Sequence, residues 1–350
     1  MKIHSVRMQN VRGHNDLSLE FVDGVNVLVG PNACGKTTVL ESLSMGCTGK
    51  SPGTKPSEML QNDASWMRID ISTDTDARIV RYQPEKSQTR TIEIDGKQQT
   101  RLKHSHIAPI VWFDPEQLRL LRGSPARRRE YMDYVLSQLD PNYSTHLSRY
   151  SRALRQRNAL LKSANPTRDA LFVWNVRLSE HGDYIHSSRK KLVEDITGSI
   201  EQKYLDLSGT TKSISPMYQA LEAKGSYSEN LLKSLESSYD RDRAIGHTTA
   251  GPHRDDLLFG DDSGQALGLS ASRGEVRTLV LALKLLEVEL LESAFSSSPL
   301  LLFDDVFSEL DGARRQAFVS ALSHLQTIIT TTDADIVTKD FARKANILAI

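Results

Sequence analysis

Apolar and polar residues alternate in short runs over the first hundred positions. "KIHSVRMQN" and "LSLEF" alternate with period two, and "GVNVLVG" is an apolar run that stops at a glycine. Period two places successive side chains on opposite faces of a strand, and a short continuous run bounded by glycine fits a strand buried on both faces. "WMRIDIST", "ARIVRYQ" and "TIEIDG" extend the pattern to about residue 96, and "IAPIVWF" at 107–113 is a further apolar run. The first third therefore predicts strands, with one helix after the glycine loop that follows "VNVLV".

The period changes near residue 125. "PARRREYMDYVLSQL", "NYSTHLSRYSRALRQRNALLK" and "RDALFVWNVRLSEHGDYIHSSRKKLVEDITGSIEQKYLDL" carry helical spacing. Breakers at Asp140-Pro141, Asn165-Pro166 and Ser208-Gly209 divide the block into several helices, too interrupted for a long coiled coil. From 268 the pattern changes again. An amphipathic helix at 275–294, with Val276, Leu279, Val280, Leu283 and Leu286 on one face, precedes the apolar run "PLLLF". A helix near 313–325 and the strands "TIITTT" and "NILAI" follow. Such α/β alternation makes parallel sheet.

Composition is ordinary for a globular chain of 350 residues: 39% apolar and 25% charged. Lysine plus arginine and aspartate plus glutamate number 44 each, so the net charge is zero. A nucleic-acid binder usually carries excess base, so any such contact must rest on a local patch. Cys34 and Cys47 read as free thiols in a reducing compartment. The N-terminus lacks the apolar core of a signal peptide, and no run of about 18 apolar residues occurs. The expectation is a cytoplasmic protein with no membrane contact.

The segment after "VNVLV" carries specific chemistry. Gly30, Pro31, Asn32, Ala33, Cys34, Gly35, Lys36 and Thr37 fit G-x4-G-K-[ST], and with Thr38 they form the candidate nucleotide-binding set. Glycines let backbone N–H groups curl around phosphate oxygens, and the helix N-terminus adds its positive end. Lys36 is placed to reach the β- and γ-phosphates and Thr37 to hold Mg²⁺. The match arises by chance in roughly one chain in a hundred of this length, and the strand–loop–helix context lowers that further. "LLLFDDVFSELD" is the natural partner. Its apolar residues form a buried strand, and ligands bind at the carboxyl end of parallel strands. There Asp304 is placed to hold Mg²⁺. Asp305, on the opposite side, is placed to orient an attacking water and is, with Lys36, the candidate catalytic residue. "SASRGEVRTLVLALKLL" opens with Ser272, Arg273, Gly274 and Glu275, which read both as a capping box and as a helix end able to grip phosphate.

In that order, the glycine loop, "SRGE" and "LLLFDDVFSELD" resemble the ABC-type ATPase heads of the SMC class, where S-x-G-[EQ] is the signature and "SELD" (308–311) resembles the D-loop. Within that class, "PEQLRLLRGSPARRREYMD" (115–133), "TAGPHRDDL" (249–257) and "LFDDVFSELD" resemble segments of the RecF family of bacterial DNA repair proteins, and "VRMQNVRGHNDLSLEF" is similar to that family's opening strands. The resemblance runs from end to end. It implies an α/β, ABC-type P-loop ATPase head with a β-rich N-terminal layer and an inserted helical lobe: 1–114 and 251–350 as the two parts of the ATPase lobe, 115–250 as the helical lobe. It further implies an ATP-dependent homodimer whose sites each join one chain's P-loop to the other's signature helix. The dimer would clamp double-stranded DNA near single-stranded gaps and act with RecR and RecO to help load RecA, with a weak, DNA-stimulated ATPase as its switch. ATP and Mg²⁺ are the implied cofactors.

Two departures matter. Most ABC ATPases carry glutamate where Asp305 stands, and the expected switch histidine is replaced by Thr331, Thr332 and Asp333. Gln117 is the one candidate for a Q-loop residue. For DNA, base concentrates in the helical block at Arg127, Arg128, Arg129, Arg149, Arg152, Arg155, Arg157, Arg189, Lys190 and Lys191. Arg149, Arg152 and Arg155 share one broad helix face and are the candidate DNA contacts, against the plainer reading of a solvated surface. Rival readings are a P-loop kinase for a small molecule, a transporter-type ABC subunit, and another short-armed SMC-like head in repair or defence.

Overall fold

A computed structural model describes residues 1–350 except 87–88, 164–165, 210–212, 222–224, 262–265, 268–270, 296, 307–309 and 333–344. Asn165 of the second breaker, Ser308 of the D-loop segment and Asp333 at the switch position therefore lie outside the described residues. Strands β1 (Ile3–Val11), β2 (His14–Glu20) and β3 (Val25–Val29) precede α1 (Lys36–Thr48) and the short α2 (Pro56–Met59). Then come β4 (Met67–Thr73), β5 (Ala77–Tyr82), β6 (Arg90–Ile94), β7 (Lys97–Gln99) and β8 (Ile110–Phe113). Helices α3 (Pro125–Leu139), α4 (Tyr143–Leu161) and α5 (Arg168–Ser208) follow, then β9 (Ser215–Gln219), α6 (Tyr227–Ser237), α7 (Tyr239–Ile245) and β10 (Asp256–Gly260). The chain continues through α8 (Arg273–Phe295), β11 (Leu300–Asp304), α9 (Gly312–Leu322), β12 (Thr327–Thr331) and β13 (Asn346–Ala349). Two compact units result: Met1–Leu118 with Arg277–Ile350, and Arg119–Val276.

The first unit holds both large sheets. One is antiparallel in the order β2-β1-β4-β5-β6-β7. The other is parallel in the order β13-β3-β12-β11-β8. Helix α1 touches strands of both sheets, so it is buried nearly all round. Val39, Leu40 and Leu43 have no exposed surface, each contributing about 1.5–3 kcal/mol by burial. Packing of this kind fixes the start of α1, and with it the glycine loop, against the carboxyl ends of β3, β11 and β12. Helix α8 corrects the expectation of one apolar face. Leu279 through Val288 are buried all the way round, and the two charged residues among them, Lys284 and Glu287, pair at 2.7 Å inside the unit. A buried charge persists when its partner neutralises it, and spacing of three on a helix brings the two side chains together.

The second unit is helical with a two-stranded antiparallel ribbon, β10 on β9. The ribbon was absent from the sequence expectation because Pro216 stands in β9. Proline is tolerated there because a two-stranded ribbon has free edges. Arg157 and Arg189, predicted as part of a basic surface, belong to the core. Arg157 is fully buried; it donates to Asn175 Oδ1, Asp242 Oδ2, Thr248 Oγ1 and the Leu235 carbonyl. Arg189 donates to Asp133 and the Pro252 carbonyl. Arg128 makes a buried bidentate pair with Asp256 at 2.6 and 2.7 Å, and Arg129 donates to the Asp255 carbonyl. Arg128, Arg129 and Arg189 tie the "GPHRDD" segment to α3 and α5, so the place of Arg128 and Arg129 in the sequence motif has a structural cause. Removing one partner of such a pair leaves an uncompensated buried charge, which costs about 3–5 kcal/mol.

Candidate nucleotide-binding site

Strand β3 ends at Val29, the loop 30–35 turns back, and α1 begins at Lys36. The turn needs left-handed backbone at Ala33 (φ 67°) and Gly35 (φ 100°). At Gly35 the requirement is also steric, because a Cβ would overlap the His14 ring. That imidazole lies over the loop, with Nε2 3.4 Å from the Gly35 carbonyl. Lys36 is only 8% exposed. Its ammonium donates to the carbonyls of Gly30 (2.7 Å) and Pro31 (2.9 Å) and stands 4.0 Å from Cys34 Sγ. The cation thus bridges the loop's own acceptors.

The second half of the site meets the first directly. Thr37 Oγ1 donates to Asp304, at 2.8 Å from Oδ2, and Thr330 Oγ1 donates to Asp304 Oδ1 at 2.6 Å. Asp304 is the last residue of β11 and Thr330 lies on β12, its Cα partner in the parallel register. The parallel order therefore brings residues 37, 304 and 330 to one point. Asp305 follows at φ 49°, left-handed, with its amide donating to the Thr330 carbonyl and hydroxyl. The expectation that Asp305 faces the opposite side by strand alternation does not apply, since the strand ends one residue earlier. Thr331 is buried at the end of β12 and Thr332 is exposed.

Hard oxygen donors from Thr37 and Asp304, 2.8 Å apart, suit Mg²⁺, which keeps several waters and takes few protein ligands. No group of three or more His, Cys, Asp or Glu that could hold a metal occurs among the described residues. Arg12 was not singled out in the sequence. It sits at the β1–β2 turn with φ 47°, pairs with Glu41 at 2.5 Å and reaches Thr38 Oγ1 at 3.5 Å. Together with His14 and Thr330 it completes the loop's surroundings. No local sequence pattern marks any of the three, because strand pairing places them.

The remaining predicted residues are found as follows. Ser272 and Glu275 form the full capping box: the Ser272 amide donates to Glu275 Oε2 (2.6 Å), and the Glu275 amide donates to Ser272 Oγ (3.2 Å). Ser272 and Arg273 are exposed. Asp311 caps α9 by accepting from the Arg314 amide at 3.0 Å. Gln117 is half-buried; its side-chain oxygen is shielded from solvent with no hydrogen-bond partner among the described residues. Arg149, Arg152 and Arg155 are exposed on α4, opposite the buried Tyr150, Ala153 and Arg157. Cys34 and Cys47 are free thiols, and burial pushes that of Cys47 up to about 11. No helix of the described residues is long and apolar enough to cross a membrane.

Comparison with known proteins gives one answer. Residues 5–243 match the family model described as an AAA domain. The DNA replication and repair protein RecF of Agathobacter rectalis is 34% identical over 342 residues, covering 96% of this chain and 93% of the relative. The protein of the same name from Lachnoclostridium phytofermentans is 34% identical over 339 residues, covering 95% and 93%. Among solved structures, the recombination mediator protein RecF with ATP, of the RecFOR pathway, superposes with a TM-score of 0.84 at 30% identity, covering 95% of this chain and 92% of that one. The fold is that of an ABC-type P-loop ATPase head with β-sheets and helical insertions.

Proposed function

Because the chain belongs to the RecF family of DNA replication and repair proteins, we propose that its glycine loop holds ATP and that ATP joins two chains into a clamp on DNA. It is a RecF-like, ATP-dependent repair and recombination protein, and the AAA-type domain makes it a weak ATPase. The reading rests on the hydrogen bond between Thr37 and Asp304, which unites the phosphate loop with the carboxylate strand. In the nucleotide-bound chain, Lys36 leaves the Gly30 and Pro31 carbonyls for the phosphates. Thr37 and Asp304 hold Mg²⁺, which when bound neutralises charge on the phosphate oxygens. Asp305 orients the attacking water. The helix end at Ser272, Arg273, Gly274 and Glu275, exposed at its first two residues, meets the γ-phosphate held by the partner chain.

This arrangement makes dimer affinity depend on ATP, because a ligand shared across a two-fold interface stabilises the associated state. The closed dimer grips duplex DNA near single-stranded gaps, with Arg149, Arg152 and Arg155 on α4 as phosphate contacts. Its partners are RecR, with RecO and RecA; its place of work is the cytoplasm. Hydrolysis opens the clamp. Sedimentation velocity with and without ATP, and with and without gapped duplex, tests the reading. A monomer without nucleotide, a dimer with ATP, and DNA co-sedimenting only with the dimer are expected. A chain that stays monomeric at saturating ATP would contradict it.

A further inference from the structure

The helical unit contains an open cavity of about 590 Å³ that shares no residue with the glycine loop or the serine-led helix. Its wall includes Arg241 from α7, Arg254 from the short 3-10 turn at Pro252–Arg254, and Ser234 and Ser237 from α6. Both arginines are exposed. Arg254 is held in place by donating one N–H to the Thr248 carbonyl at 2.9 Å, which leaves most of its donors for other acceptors. The one carboxylate among the described wall residues, Asp255, is engaged elsewhere: it accepts from Tyr218 Oη at 2.5 Å and faces the Arg189 guanidinium at 4.0 Å. Arg241 and Arg254 therefore give the described wall residues a positive charge.

The backbone adds a second, independent observation. The wall residues Ala250 and Gly251 have amide N–H groups that meet no acceptor among the described residues, and Gly251 is buried. Buried amides without a partner are rare, so one in a residue that borders a cavity is a candidate donor to a ligand there. Gly251 reaches this position with φ 122°, and a Cβ there would overlap Tyr150 Oη. Successive amides beside a planar guanidinium form the arrangement that takes phosphate oxygens.

We propose that this cavity is a phosphate-binding site, filled by a backbone phosphate of bound DNA. The proposal rests on the DNA-binding reading above, and its test separates the two. Arg241→Glu is the main variant, because Arg241 carries no fold contact among the described residues; Arg241→Ala with Arg254→Ala is the second. Binding of a labelled gapped duplex in the presence of ATP is followed by anisotropy over a range of NaCl concentrations. Either variant weakens association by at least about tenfold near 0.1 M salt and lowers the slope of log K against log salt by about 0.9, the value for one phosphate. ATP-driven dimerisation is unchanged. In parallel, the ³¹P line of inorganic phosphate broadens with the wild-type chain and not with Arg241→Glu. Loss of that broadening with DNA affinity unchanged assigns the cavity to a free phosphate and supports the site. A wild-type chain that binds no DNA refutes the repair reading and leaves the ³¹P arm to decide the cavity. Equal behaviour of wild type and variants in both arms overturns the proposal. So does a glutamate-rich peptide that binds through Arg241 where phosphate does not.

Discussion

The Lys36 ammonium is where the nucleotide reading is tested most simply. It is nearly buried, and its present acceptors are two loop carbonyls. Lys36→Ala removes a charge-assisted bond to phosphate, worth about 1.5–3 kcal/mol, so ATP affinity should fall by about tenfold to a hundredfold. Equilibrium titration with a fluorescent ATP analogue reads this, and an unchanged affinity would refute the assignment. Asp305→Asn keeps the shape and removes the carboxylate. ATP binding should persist while single-turnover hydrolysis slows by about a hundredfold or more and the dimer lives longer. Near-normal hydrolysis would remove Asp305 from the water-positioning role. At this scale a sequence speaks where chemistry is local. Glycine, lysine and threonine at fixed spacing predict a phosphate loop because each would act on the same few atoms. Arg12, His14 and Thr330 were not legible, since each reaches the loop only through strand pairing across long sequence separations.

Among the elements, the segment that follows α7 carries a pH dependence. His253 Nδ1 lies 2.7 Å from Tyr150 Oη, and its Nε2 donates to the Thr248 carbonyl (3.0 Å), an arrangement that a neutral imidazole satisfies by accepting from the tyrosine. Burial pushes its pKa from 6.5 down to about 4. Burial lowers those of His181 and His186 as well. The folded chain therefore resists protonation that the unfolded chain accepts. The His253 contribution to stability is complete above about pH 6.5 and is lost as pH falls toward 4. Between pH 7 and pH 5 the His253 share amounts to about 2 kcal/mol. Urea unfolding of wild type and His253→Gln at the two pH values should show a smaller loss in the variant by that amount. Equal losses would place the acid sensitivity elsewhere. Element boundaries followed sequence period wherever burial is one-sided: the helix expected at 168–207 is observed at Arg168–Ser208. The pattern misled where burial is complete. Helix α8 hides Lys284 and Glu287 inside the first unit, and a pairing of two charges has no signature in a hydropathy pattern. Strand β9 was hidden by Pro216.

For the whole molecule, net charge is zero and the basic residues divide into two populations. Arg128, Arg157 and Arg189 hold the helical unit together from inside, whereas Arg149, Arg152, Arg155, Arg241 and Arg254 are exposed. Bulk charge therefore says little about nucleic-acid affinity, because charge acts through its local distribution. In the proposed dimer each ATP site is built from two chains. Mixing two inactive variants tests it. Lys36→Ala lacks the phosphate lysine, and Ser272→Arg blocks the exposed cap of α8. In a mixed dimer with shared sites, one site carries both lesions and the other carries neither. Random pairing makes about half of the dimers mixed, so up to about a quarter of wild-type hydrolysis should return by two-fold symmetry. Single-turnover ATP hydrolysis on the mixture, with mixed dimers verified by tagged pull-down, is the measurement. Recovery toward a quarter is expected; mixed dimers that form with ATP yet hydrolyse it at the background of either variant alone would contradict the shared site.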